Sequence, residues 1–155
     1  MADEMRKLTP GEIVILRSVY GERITYPEVR VSQHRWFWPL PDDRAMAPNG
    51  NIYFPGQTYA ADFAAVGASL YNRSVFVHEG AHLYQWYGLG RSVWLRGSFD
   101  RDYGYELVPG KRYEDYGLEQ MGSIAQDYFT LRSGVRSATL KYPLSAYAEL
   151  LPVTR

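Results

Sequence analysis

Residues 78 to 82 read His-Glu-Gly-Ala-His and close the apolar run Val75-Phe76-Val77. On an α-helix, positions i and i+4 lie on one face, a turn apart. A helix through this segment therefore lets both imidazoles reach a single Zn²⁺, with Glu79 projecting beside them toward a water that the metal would hold. Two of the chain's three histidines fall at this spacing around a glutamate. The pattern dictates a helix here, and it demands a neighbouring element to complete the ligand set.

The rest of the composition narrows the donors. The chain has no cysteine, so disulfides and thiolate sites are excluded and the ligands must be histidine and carboxylate. Seventeen basic residues balance seventeen acidic ones for a net charge of zero, and no long block of one sign appears. Nothing in that balance suits a nucleic acid or an anionic membrane surface. At 155 residues the chain is long enough to bury a core as a single domain over 1–155, with residues 1–7 expected to be flexible. The charged start, Met1 to Lys7, is not followed by an apolar stretch, so it does not read as a secretory signal, and synthesis in the cytoplasm is expected. No segment approaches the ~20 apolar residues of a membrane-spanning helix.

Local signals place the remaining elements. Thr9 is a good N-cap, Pro10 suits the first helical position and Glu12 completes a capping box, which predicts a helix from Thr9 to about Tyr20 stopped by Gly21. Val29 and Val31 alternate with Arg30 and Ser32 as in a strand. Trp36-Phe37-Trp38-Pro39 is an aromatic cluster, Ala47-Pro48-Asn49-Gly50-Asn51 is a turn, and Ile52-Tyr53-Phe54 reads as a second strand. This predicts a small sheet or hairpin region upstream of the metal helix. That helix should run from Leu70 or Ser74 to Tyr87, with Gly88 and Gly90 as stops, and a second one from Leu118 to about Arg132. A short helix is expected within Ser145–Leu151. The fold class is α+β, with the two long helices packed together.

Two histidines do not make a catalytic zinc site, which takes a third protein ligand and a water. The carboxylates that follow the motif are Asp100, Asp102, Glu106, Glu114, Asp115, Glu119 and Asp127. Glu119 is the best placed, in the first turn of the 118–132 helix. Gly122 and Ser123 lie at i+3 and i+4 and Gln126 at i+7, a narrow face of small groups that lets this helix approach the first. Leu118, Met121, Ala125 and Tyr128 form a separate apolar stripe. Glu79 is assigned as general base, taking a proton from the water and passing it to a leaving amine. For an oxyanion donor the candidates are Tyr113, Tyr116, Tyr105 and His34, and Gln85 is a candidate partner for one of the imidazoles. Gly80 interrupts good helix design at a cost of ~1 kcal/mol and is given no role.

Several segments in order carry a family resemblance: Leu8-Thr9-Pro10-Gly11-Glu12-Ile13, Val29-Arg30-Val31 leading to His34-Arg35-Trp36, Met46 to Phe54, and Phe76 to His82 with Gln85. Together they resemble the zincin-type metallopeptidase domain of Vgr-related proteins, which forms C-terminal extensions on VgrG spike proteins of the type VI secretion system. The resemblance covers most of residues 8 to 132. It implies a gluzincin-like zinc peptidase with ligands His78, His82 and Glu119 and base Glu79, acting on a peptide or protein substrate. It further implies an antibacterial toxin effector delivered to the periplasm of a rival cell, with a spike protein and an immunity protein as partners. These 155 residues are expected to hold no spike module, which leaves three expectations: a domain of a longer protein, cargo loaded on a separate spike, or a resident housekeeping enzyme. The alternatives are a non-catalytic zincin-shaped module of a secretion apparatus, and an amidase of cell-wall peptides using the same metal chemistry.

Overall fold

The computed structural model describes residues 4–37, 40, 43–92, 102–137 and 139–154. Helix α1 spans Pro10–Tyr20 and begins as expected: Thr9 Oγ1 accepts the Glu12 N–H at 3.1 Å, and the Glu12 carboxylate accepts the Thr9 N–H at 2.9 Å. Glu12 does more than cap. It is fully buried, so its charge must be matched, and both of its oxygens accept from the Arg6 guanidinium at 2.9 Å. The Phe63 N–H donates to it as well, at 2.9 Å.

That pairing also anchors the end of the segment before the helix. Arg6–Lys7 form strand β1, because Arg6 is held by Glu12, by the Tyr59 hydroxyl at 3.1 Å and by the Ala60 carbonyl at 2.8 Å. Strand β1 pairs antiparallel with β2 (Arg30–Ser32), and β2 pairs in parallel with β3 (Ile52–Tyr53). The upstream sheet is therefore present, in the order β1-β2-β3, but β2 and β3 do not form a hairpin. The Ala47–Asn51 turn instead closes a single antiparallel bridge between Met46 and Tyr53. Asn51 Oδ1 accepts the Arg30 N–H at 2.9 Å and so ties that turn to β2. Trp36 and Phe37 pack edge to face; Trp38 and Pro39 lie outside the described residues.

Helix α2 spans Leu70–Tyr87, where Ser69 Oγ accepts the Asn72 N–H and no proline interrupts the run. Helix α3 spans Leu118–Arg132, and its apolar stripe, including Met121, Ala125 and Tyr128, is buried as expected. A short α4 (Leu144–Ala148) and a 3₁₀ turn at Pro152–Thr154 complete the described chain. No helix among the described residues is long and apolar enough to cross a membrane.

Helix α2 is the centre of the molecule, held between α1 and α3. On the α1 side a Cβ at Gly80 would lie 2.6 Å from Leu16 Cδ2 and 2.7 Å from Tyr20 Cε2. The glycine that looked like a helix defect is thus the crossing point of two helices. Tyr20 fastens the crossing by donating its hydroxyl to the Val77 carbonyl at 2.6 Å. Phe76 joins α2 to the chain after the sheet through its stacked contact with Phe63, 5.0 Å between centroids, and Phe63 lies 4.4 Å from Phe54. On the α3 side, a Cβ at Gly122 would stand 2.5 Å from His78 Nε2. The small-residue face of α3 serves this close approach.

Candidate metal centre

Because α2 is helical through the motif, the His78 and His82 rings stand 5.4 Å apart on one face. Both are buried, His78 at 7% exposure and His82 at 3%. Ligand atoms of His78, Glu79 and His82 all lie within 4.8 Å of one another. Across from them, Glu119 on α3 sets Oε2 2.9 Å from His78 Nε2 and Oε1 3.3 Å from His82 Nε2. Of the two glutamates at the imidazoles, Glu119 is the one whose oxygens face both Nε2 atoms.

The far side of each ring settles which nitrogen is free. Gln85 Nε2 donates to the Leu118 carbonyl at 3.0 Å, so its Oε1 must face His82 Nδ1, 3.0 Å away. Gln126 Nε2 is likewise committed to Ser74 Oγ at 3.1 Å, and its Oε1 faces His78 Nδ1 at 3.2 Å. An amide oxygen only accepts, so both Nδ1 atoms carry hydrogen, and in an unprotonated ring of this tautomer the lone pair is the one on Nε2, facing Glu119. Those lone pairs converge on a carboxylate. Three electron-rich groups in that arrangement require a cation or a shared proton between them. Two imidazole nitrogens and one carboxylate oxygen are the donors a catalytic zinc ion takes, and the residues present fit it.

Electrostatics point the same way. Burial works to lower the pKa of His82, but its hydrogen bond with Glu119 and the charges of Glu119 and Glu79 outweigh it and raise the value to about 9. Glu119 is held well below the usual carboxylate range: burial opposes this, and the hydrogen bonds with His78 and His82 prevail. Glu79 moves up, chiefly through burial, against the pull of the two histidines. Its Oε2 is buried and has no hydrogen-bond partner among the described residues. A carboxylate with a raised pKa and one free oxygen is suited to accept a proton.

The other candidates are placed elsewhere. Tyr113 is fully buried and gives its hydroxyl hydrogen to the Met121 carbonyl at 2.7 Å, so it is not available as an oxyanion donor. The Tyr116 hydroxyl accepts the Val108 N–H at 3.0 Å. Tyr105 donates to Asp127 Oδ2. His34 is exposed, and its N–H donates to Ser32 Oγ at 3.1 Å. Among the alternative carboxylates, Glu114 accepts from the Tyr84 hydroxyl at 2.8 Å, Asp115 pairs with Arg112 at 3.0 Å, and Asp102 and Glu106 are exposed. Asp100 lies outside the described residues. Gln85 sits where the sequence suggested, as a partner of His82. Two contributors had no assigned role: Gln126, visible in sequence only as one position of the α3 face, and Tyr103, whose ring centroid is 6.0 Å from that of His78. No periodicity marks Tyr103, because the segment around it is neither helix nor strand.

No family model matches the chain. It is 36% identical over 137 residues to the type VI secretion system spike protein VgrG2b of Pseudomonas aeruginosa. That match takes in 83% of this chain and only 13% of the spike protein's length. The solved effector domain of Pseudomonas aeruginosa VgrG2b superimposes with a TM-score of 0.77 at 32% identity, covering 96% of this chain and 83% of that domain. With that identity across most of a solved domain, the chain belongs to the family of the VgrG2b effector domain.

Proposed function

We propose that the chain is a zinc-dependent peptidase of the zincin type, acting as a type VI secretion effector. The observation that carries the enzymatic part is the convergence of the two Nε2 atoms and the Glu119 carboxylate, with Glu79 Oε2, unpartnered among the described residues, beside them. His78, His82 and Glu119 would hold the ion. Zinc in such a site polarises a scissile carbonyl and brings the pKa of water to ~7.

The chain's own groups divide the remaining work. Gln85 and Gln126 hold the imidazoles in one tautomer and one orientation, so the donors are preorganised. Glu79 accepts the proton of the attacking water at its free Oε2 and returns it to the leaving amine. Burial of Glu79 keeps its basicity above that of an exposed carboxylate. The effector part rests on membership of the VgrG2b effector-domain family, and it carries the expectation of delivery with a spike protein, action in the periplasm of a target cell and neutralisation by an immunity protein.

Hydrolysis of a broad peptide library by the zinc-loaded protein tests the reading. Glu79→Gln should retain zinc and lose at least ~100-fold in turnover, the usual scale for a general base. A wild-type protein that holds zinc and cleaves nothing, or a Glu79→Gln variant as active as wild type, would overturn it.

A further inference from the structure

A cavity of about 380 Å³ is walled by Tyr103, Tyr105, Asp127, Tyr142 and Tyr147, with Lys141 on its exposed edge, and Tyr103 and Gln126 join its wall to His78. It adjoins the candidate metal centre on α3. Ser123, one helical turn from Glu119, and Gln126, the partner of His78, both line it. A peptide held at the imidazoles would carry a neighbouring side chain into this space.

Two of the hydroxyl hydrogens on its wall are already spoken for. Tyr105 gives its single hydroxyl hydrogen to Asp127 Oδ2 at 2.5 Å. The Tyr147 hydroxyl, 2.6 Å from that of Tyr105, must therefore be the donor of their shared bond. The chain of donation runs Tyr147 to Tyr105 to Asp127 and ends on a carboxylate. Asp127 has no other hydrogen-bond partner among the described residues, so its second oxygen is an open acceptor. Around it the Tyr147 ring stands edge-on to those of Tyr105 and Tyr142, with centroids 6.3 and 6.1 Å apart. An open carboxylate among tyrosine rings favours a cation through a charge-assisted hydrogen bond and ring-face attraction. Lys141 opposes this from an exposed position, where solvent screens it.

We propose that this cavity receives a basic side chain of the peptide substrate, its ammonium or guanidinium group seated on Asp127 between tyrosine rings. The proposal rests on the peptidase reading and names the substrate class for that site.

Binding to the zinc-loaded Glu79→Gln protein tests it without turnover. The probes are fluorescent capped alanine hexapeptides carrying one lysine at each position in turn, and the same set carrying norleucine, read by anisotropy. At one position lysine should bind about 10-fold tighter than norleucine, the scale of one charge-assisted hydrogen bond. Asp127→Asn in the same background should erase the difference, while Lys141→Gln should keep or enlarge it. If no lysine peptide exceeds its norleucine counterpart by more than about 2-fold, or if the preference survives Asp127→Asn, the proposal is wrong. The comparison between the two peptide sets on the unaltered cavity stands even if Asp127→Asn fails to fold. A lysine preference in a protein whose wild type cleaves no peptide would leave the pocket in place and overturn only the peptidase reading.

Discussion

Helix α2 is gripped from two sides, and each grip passes through a glycine. On the α1 side Gly80 faces Leu16 and Tyr20, so the close approach buries apolar atoms and a tyrosine ring. On the α3 side Gly122 faces the His78 imidazole, and the approach brings Glu119 to within 2.9 and 3.3 Å of the two Nε2 atoms. The same device thus makes a packing contact on one side and a donor cluster on the other. Side chains that a neighbouring helix presses into a core stabilise the fold. A carboxylate that it presses against two imidazole nitrogens creates a demand for a shared proton or a metal cation.

The sharpest break between the two sides should come from Glu119→Ala. Loss of the carboxylate leaves two histidines, and zinc affinity should fall by well over ~100-fold, since losing even a partner of a ligand typically costs 10–100-fold. Competition titration against a chromophoric chelator reads this directly. Glu114→Ala, which removes the acceptor of the Tyr84 hydroxyl, should leave affinity unchanged. Equal losses from both variants would contradict the ligand assignment.

The two glycines give the next contrast. Gly122→Ala places a methyl group 2.5–2.7 Å from the His78 ring, which must swing aside, so zinc affinity should drop ~10–100-fold even though alanine favours the helix. Gly80→Ala should instead destabilise the fold by roughly 1–3 kcal/mol through overpacking, partly offset by ~1 kcal/mol of helix propensity. Denaturant unfolding of the metal-free protein and zinc titration of the folded protein separate the two effects. If Gly80→Ala weakens zinc as much as Gly122→Ala, the division between packing side and donor side fails.

A smaller effect should appear with pH. In the metal-free protein His82 is raised from 6.5 to about 9: burial acts against this, and the hydrogen bond with Glu119 and the charges of Glu119 and Glu79 exceed it. A raised pKa contributes stability that is full below the unfolded value and is lost as pH climbs through the folded value. Stability of the metal-free protein should therefore decline between about pH 6.5 and about pH 9. Saturating zinc should abolish that decline, because the metal replaces the proton. A decline of the same size with and without zinc would place the proton elsewhere.

How much of this could be read from sequence follows the same division between regular and irregular chain. Helices α1, α2 and α3 were legible because end signals and apolar spacing act within a few residues: Thr9 with Glu12, Gly88 after Tyr87, the stripe from Leu118 to Tyr128, while the start of α2 stayed open between Leu70 and Ser74. Helical geometry also put Glu119 and Gly122 on one face. What was not legible depends on contacts between distant segments. Gly80 looked like a defect because Leu16 and Tyr20 are far away in sequence. Arg6 looked like part of a loose end because its partner Glu12 is buried only when Phe63 arrives. Tyr113 looked available because nothing local announces that its hydroxyl hydrogen is given to the Met121 carbonyl inside the core. Tyr103 and the cavity it helps to line lie in chain without periodicity, and their positions are set by α3, α4 and the segment before α4.

Zinc titration of the metal-free wild-type protein, followed by isothermal calorimetry at pH 7 in buffers of different ionisation enthalpy, bears most directly on the central claim. The arrangement of His78, His82 and Glu119 predicts one zinc per chain and release of about one proton, the one that His82 carries in the metal-free state. A folded protein that takes up no zinc at micromolar concentration, or takes it up equally well after Glu119→Ala, would contradict it.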